Sequence, residues 1–265
     1  MEKLYFECYA GVSGDMTVGA LLDLGADKEK LLKALESVPA DGFRIEITRV
    51  KKSGLDACDF NVILDDEHEN HDHDMDYLYG HEQEDHHDHH HGHHVHRSPE
   101  DVYAIIDACD ITDGAKRIAR KTFEIIAQAE AKAHGVELSE VHFHEVGAID
   151  SIVDIISASV CLDDIGIEEV IVSPLAEGVG TVRCQHGILP VPVPAVVNIA
   201  ASCGLTIRQT QVRGELITPT GAALMAAVRT SGRLPDEYRI KAVGLGAGKR
   251  DYETSGIVRA MIIEC

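Results

Sequence analysis

Basic residues are scarce in this chain: 24 Lys and Arg stand against 45 Asp and Glu, for a formal net charge of −21. A field of that sign repels phosphate backbones, which argues against nucleic acid as a partner. Paired cysteines are missing too. The seven cysteines, Cys8, Cys58, Cys109, Cys161, Cys184, Cys203 and Cys265, include no C-x-x-C and no close pair. That excludes a disulfide framework and a zinc ribbon, and a reducing compartment is expected. No apolar run approaches the ~18 residues that span a bilayer. The opening stretch MEKLYFECYAGVSGDM lacks the basic-then-apolar layout of a secretory signal. These absences predict a cytoplasmic protein with no membrane segment.

What is present suffices for a core: 265 residues, 45% of them hydrophobic, fit one large or two small domains. One segment stands apart. Residues 65–96 hold twelve of the 16 histidines and eleven acids with no Lys or Arg. With almost nothing apolar to bury, this His/Asp-rich insertion is predicted to be disordered and solvated, interrupting a globular part made of residues 1–64 and 97–265. Imidazoles mixed with carboxylates bind several divalent ions weakly and release them as the rings protonate near pH ~6.5. Such a tract resembles a reservoir more than a catalytic cage.

The globular part reads as α/β, a mixed sheet with flanking helices. Lys3–Cys8 predicts a strand, AGVSGD a turn, and Met16–Leu24 a helix stopping at Gly25. A helix at Lys28–Ser37 and a hairpin of Phe43–Val50 with Asp56–Leu64 follow. Ser98-Pro99-Glu100-Asp101 has the cap, first-turn proline and acids that open a helix. Asp113–His134 places Ile118, Ile125, Ile126, Ala129 and Ala133 on one stripe, with Gly135 closing the helix. A helix near Asp150–Ile165, a strand at Glu169–Ser173 and a Gly-rich loop at Glu177–Gly180 come next. The tail predicts a helix at Thr218–Thr230 and strands at Tyr238–Leu245 and Ile257–Glu264.

The densest chemistry lies in His142-Phe143-His144-Glu145-Val146-Gly147-Ala148-Ile149-Asp150, with Asp154 four residues on. In an extended segment His142 and His144 share a face, so they read as a ligand pair. Asp150 and Asp154 share one side of the following helix, opposite Ile152, Ile155, Ile156 and Val160. A solvated helix face explains that pair equally well. Imidazole with carboxylate suits Zn, Ni, Mn or Fe without selecting among them. Ser13-Gly14-Asp15-Met16 stands where strand yields to helix, so its amides can hold an anion while Asp15 faces a metal or hydroxyl; a capping Asp is nearly as good an account. Gly178-Val179-Gly180, His186-Gly187, Thr218-Pro219-Thr220-Gly221 and Gly244–Asp251 read as turns with exposed amides. Lys249 and Arg250 in the last are suited to neutralising a phosphate, although the run is no Walker A motif.

Taken together, LYFECYAGVSGDMTVGALLDLGAD, VHFHEVGAIDSIVDII, VSPLAEGVGTVRCQHGILPVPVPA, GELITPTGAAL and GLGAGKRD resemble the LarC family of nickel-insertion proteins, which complete the nickel-pincer cofactor of lactate racemase. The resemblance implies a CTP-dependent cyclometallase of the lyase class, assisted by Mg or Mn. Its reaction puts nickel into pyridinium-3,5-bisthiocarboxylic acid mononucleotide through two nickel–sulfur bonds and one nickel–carbon bond. It implies that His142, His144 and Glu145 hold or transfer nickel with Asp150 or Asp154, and makes Asp15 and His186 candidates for ligand or acid/base roles. Expected partners are the mononucleotide, the lactate racemase maturation system, further copies of the chain in a homo-oligomer, and a C-terminal half carrying the CTP site. That half follows this region in the family, so the chain reads as the N-terminal part of a split or longer enzyme. Nickel or zinc storage, or metallochaperone work, is the alternative reading.

Overall fold

The computed structural model describes residues 1–65, 75, 78, 97–143, 146–184 and 186–265. The His/Asp-rich insertion therefore lies almost wholly outside the described residues. Alternating burial along short apolar strands builds a six-stranded mixed sheet, ordered β2-β3-β9-β10-β1-β4. Next to the edge strand, β1 (Glu2–Glu7) pairs antiparallel with β10 (Ile257–Glu264) and parallel with β4 (Val170–Val172). β2 (Phe43–Lys52) and β3 (Leu55–Leu64) form the expected hairpin. Their link, Ser53-Gly54, has positive φ at both residues, 52° and 81°, the conformation that matches the twist of paired strands. β9 (Arg239–Ala247) joins this hairpin to β10.

Leu4 and Phe6 of β1 point into the main core with Phe60, Phe123 and Phe143. Tyr5 points the other way, into a small cluster with Ile171, Met261 and Ile263. The main-core face is covered by α1 (Gly14–Leu24) and α5 (Ile149–Ile165). α2 is Lys28–Glu36 and α3 Pro99–Ala108. α3 opens on a full capping box, Ser98 and Asp101 each satisfying the other's backbone N–H. α4 (Asp113–His134) is capped by Thr112 and closed by Gly135 in the left-handed conformation, φ 67°. Its buried stripe centres on Ala119, Phe123 and Ile126; Ala133, expected to be buried, is exposed beside a cavity described below.

Two expected turns are strands instead. Glu177-Gly178-Val179 belongs to β5 (Leu175–Val179), which pairs parallel with β8 (Ile207–Arg213). A Cβ on Gly178 would stand 1.9 Å from the Gly214 carbonyl oxygen, so this glycine permits backbone contact between segments rather than a bend. Gly244 and Gly246 likewise lie inside β9, where added Cβ atoms would meet Ala20 O at 2.2 Å and Met16 O at 1.9 Å. The Leu245 amide is not exposed either; it donates to Asp23 Oδ2 at 2.8 Å. The remaining elements are the hairpin β6 (Thr181–Cys184) with β7 (Gly187–Pro190), α6 (Pro194–Cys203) and α7 (Pro219–Val228).

Because α1 rests on bare backbone at β9, Gly246→Ala is expected to destabilise by at least the ~1–3 kcal/mol of core overpacking. Gly232→Ala, whose added carbon would find its nearest atom at 3.5 Å, should stay within about 0.5 kcal/mol. Urea unfolding of the two variants checks the contrast.

Candidate functional site

A cavity of about 310 Å³ opens where the N-terminus of α1, the start of α5, the end of α4, the β6–β7 hairpin, the N-terminus of α7 and the segment after β9 come together. Asp15, Asp150, Asp154, His186, Lys249 and Arg250 all line it. The fold thus gathers six of the nine residues singled out from sequence, drawn from both ends of the chain. His142 is exposed and does not line this cavity. His144 and Glu145 lie outside the described residues. Among the described residues, no three His, Cys, Asp or Glu side chains are grouped so as to hold a metal ion.

Asp15 is buried, at 5% exposure, in the first turn of α1. It is not the cap: Ser13 holds that position, and its hydroxyl donates to Asp15 Oδ1. The backbone of Asp15 faces the Asp154 carboxyl and favours its charged form. The group that faces this helix start is the side chain of Asp154 on α5; the helix dipole favours its negative charge, and burial opposes it. Gly14 makes the approach possible, since a Cβ there would lie 2.7 Å from Asp154 Oδ2.

Asp154 Oδ1 is buried with no hydrogen-bond partner. Burial first, then the neighbouring Asp15 and, to a smaller degree, Asp150 push the Asp154 carboxyl well above the usual carboxylate range, while the Lys249 ammonium pulls the other way. A carboxyl so placed accepts a proton more readily than an ordinary carboxylate. Arg250 Nη1 lies 2.6 Å from Glu215 Oε2, and both side chains are largely buried. This pair ties the post-β9 segment to the strand-like run leading into α7.

That run is fixed from below by Glu177, which is fully buried. Its Oε1 accepts from the amides of Gly178 and Leu216, each at 2.8 Å, and of Ile217 at 3.3 Å. Burial outweighs those three hydrogen bonds and pushes the Glu177 carboxyl up to about 7. One step further, Thr218 donates its amide to Val12 O at 3.0 Å and caps α7 by accepting from Gly221 N at 3.2 Å. The loops carrying Asp15 and Glu215 are thereby locked together.

Glu130, His134, Arg183, Cys184 and Glu215 also line the cavity, and sequence reasoning did not single them out. The i,i+4 spacing of Glu130 and His134 at the end of α4 was the readable signal. Glu215 announced itself only by standing next to the TPTG turn.

Fold and site together define a class: an α/β protein with a mixed sheet and a cavity lined by carboxylates together with basic and imidazole groups. A family model described as nickel insertion protein matches residues 4–264, and the chain belongs to that family. Over 263 residues it is 54% identical to the pyridinium-3,5-bisthiocarboxylic acid mononucleotide nickel insertion protein of Alkaliphilus metalliredigens, covering 99% of this chain and 61% of that protein. The protein of the same name from Acetivibrio thermocellus is 40% identical over 99% of this chain and 60% of its own length. A putative nickel insertion protein from Dictyoglomus thermophilum is 36% identical over 100% of this chain and 61% of its own. The chain therefore spans about three fifths of these relatives. No solved structure matches it.

Glu177 generates a pH prediction. Its folded pKa of about 7 lies above its ordinary 4.5, so between those values the folded chain holds the extra proton and stability falls as pH rises. The loss is on the order of 3 kcal/mol across that window. Glu177→Gln keeps the acceptor oxygen and should flatten this part of the stability–pH curve, measured by denaturant unfolding from pH 4.5 to 7.5.

Proposed function

We propose that this chain supplies the ligand-holding part of an enzyme that inserts nickel into pyridinium-3,5-bisthiocarboxylic acid mononucleotide, the activity for which its relatives are named. The single observation that carries this reading is the convergence of Asp15, Asp154, His186, Lys249 and Arg250 on one cavity in a chain of this family. Lys249 and Arg250 receive the phosphate. Arg250 lines the cavity with its guanidinium anchored on Glu215, and a planar guanidinium suits phosphate oxygens. Asp154, close to Asp15 and desolvated, takes the proton that leaves the ring carbon as the nickel–carbon bond forms. Nickel is a substrate here, joined also to the two thiocarboxylate sulfurs. His142, His144 and Glu145, with Asp150, deliver it, and the histidines of 68–96 raise its local concentration. CTP, with Mg or Mn, is assigned to the remaining part of the longer protein, and the reaction belongs to lactate racemase maturation.

The histidine-dense composition of residues 65–96 supports a second reading, nickel or zinc storage. The two separate on deletion of residues 66–96. The insertase reading expects nickel bound per chain to drop while product formation survives. The storage reading expects the remaining chain to bind neither nickel nor mononucleotide.

The test combines the full chain with a polypeptide covering the rest of the relatives' length, nickel, CTP, Mg or Mn and the dithio mononucleotide, followed by absorbance and mass of the metallated product. Asp154→Asn should slow turnover by about 10²–10⁴-fold, the usual worth of a positioned acid or base. Lys249→Ala should chiefly raise KM for the mononucleotide. A product rate unaffected by either change refutes the assignment.

A further inference from the structure

Glu177 of β5 is fully buried and lies outside the cavity lining, so it takes no part in the chemistry assigned there. Its Oε1 nevertheless reaches the amides of Leu216 and Ile217, 39 and 40 positions along the chain. Its Oε2 is buried with no hydrogen-bond partner. Any side chain that brings an acceptor to this place, Glu or Gln, leaves its second polar atom in the same dry space. An unpaired buried oxygen costs stability and calls for an explanation. The explanation lies in what the 216–217 run carries.

That run belongs to neither β8, which ends at Arg213, nor α7, which begins at Pro219. On one side of it stands Glu215, whose Oε2 lies 2.6 Å from Arg250 Nη1. On the other side Leu216 O accepts from the Val12 amide at 2.9 Å, and the Thr218 amide donates to Val12 O at 3.0 Å. Val12 leads directly into Ser13 and Asp15 at the start of α1. The contact admits no slack, since a Cβ on Gly11 would stand 2.1 Å from Leu216 O. A shift of Leu216 and Ile217 therefore moves Arg250 and the α1 start together, and Glu177 is the buried side chain that opposes it.

Resting on the reading that Lys249 and Arg250 receive the phosphate, we infer that Glu177 is a positioning residue for recognition of the mononucleotide. By holding the Leu216 and Ile217 amides it sets the Glu215–Arg250 pair at the phosphate end of the cavity. The coupling runs both ways: an anion seated on Arg250 steadies the hydrogen bonds at Glu177 in return.

Titration calorimetry of the full chain with the dithio mononucleotide tests this. Glu177→Asp draws the carboxylate back by one methylene and is expected to weaken binding about tenfold. Glu177→Gln keeps the acceptor and is expected to stay within about twofold of the parent chain. In an Arg250→Ala background the Asp substitution has no guanidinium left to misplace, and its effect should fall below about twofold. A merely supportive Glu177 gives another pattern: Glu177→Asp lowers the number of binding sites per chain, as circular dichroism would show for lost folded protein, and leaves Kd unchanged. A further readout needs no variant. In the parent chain the mononucleotide should slow hydrogen exchange at the Leu216 and Ile217 amides. An unchanged Kd in Glu177→Asp, an equal penalty with and without Arg250, or exchange at those amides that ignores the mononucleotide overturns the positioning role. If metallation proceeds all the same, the proposed function stands without it. Arg250-dependent coupling in a chain that supports no metallation upholds the positioning role and overturns the insertase reading.

Discussion

The arrangement depends on how closely α1 is allowed to lie against its neighbours. Gly244 and Gly246 of β9 give the helix bare backbone to rest on, and Gly14 lets Asp154 of α5 reach its first turn. Replace any of these hydrogens with a carbon and the helix must lift. Lifting it would break the contact between the Asp15 backbone and the Asp154 carboxyl, which joins the two acid-bearing elements of the cavity. Packing and chemistry here share the same few ångströms.

Electrostatics follows from that geometry. An acidic chain brings more carboxylates into a desolvated space, where their mutual repulsion raises the cost of ionising all of them. Lys249 offsets part of this at Asp154 and at Asp59, and Arg250 neutralises Glu215 at 2.6 Å. The cavity is thus neither an acidic cage nor a basic groove. On the proposed reading, this mix meets a ligand that carries a phosphate at one end and exchanges a cation and a proton at the other. Glu177 adds a buried support that holds the 215–217 run through the amides of Leu216 and Ile217, so the position of Glu215 is set by a group outside the cavity lining.

Local signals in the sequence were sound guides to elements. The capping box at Ser98 and Asp101, the left-handed Gly135 and the Ser53-Gly54 turn involve residues within a few positions of one another, so spacing alone exposed them. Glycine was the weak point. Gly178, Gly244 and Gly246 read as turns because glycine permits turns, yet they serve close approach to partners distant in the chain. Composition cannot distinguish those two uses. The same limit hid Cys184 and Glu215, whose significance is their company in the cavity rather than any motif.

By itself, then, the sequence determined the α/β character, the run of helices and strands, the charge balance and the identities of Asp15, Asp150, Asp154, His186, Lys249 and Arg250 as groups with chemistry to offer. Only the tertiary structure decided that these six share one cavity and that Asp154 is desolvated against Asp15. It also decided that His134 and His186 stand ring to ring. The physical reason is range. Capping and periodicity are set by neighbours along the backbone, whereas desolvation and donor convergence depend on segments as far apart as residues 15 and 250, which only the packed core brings together.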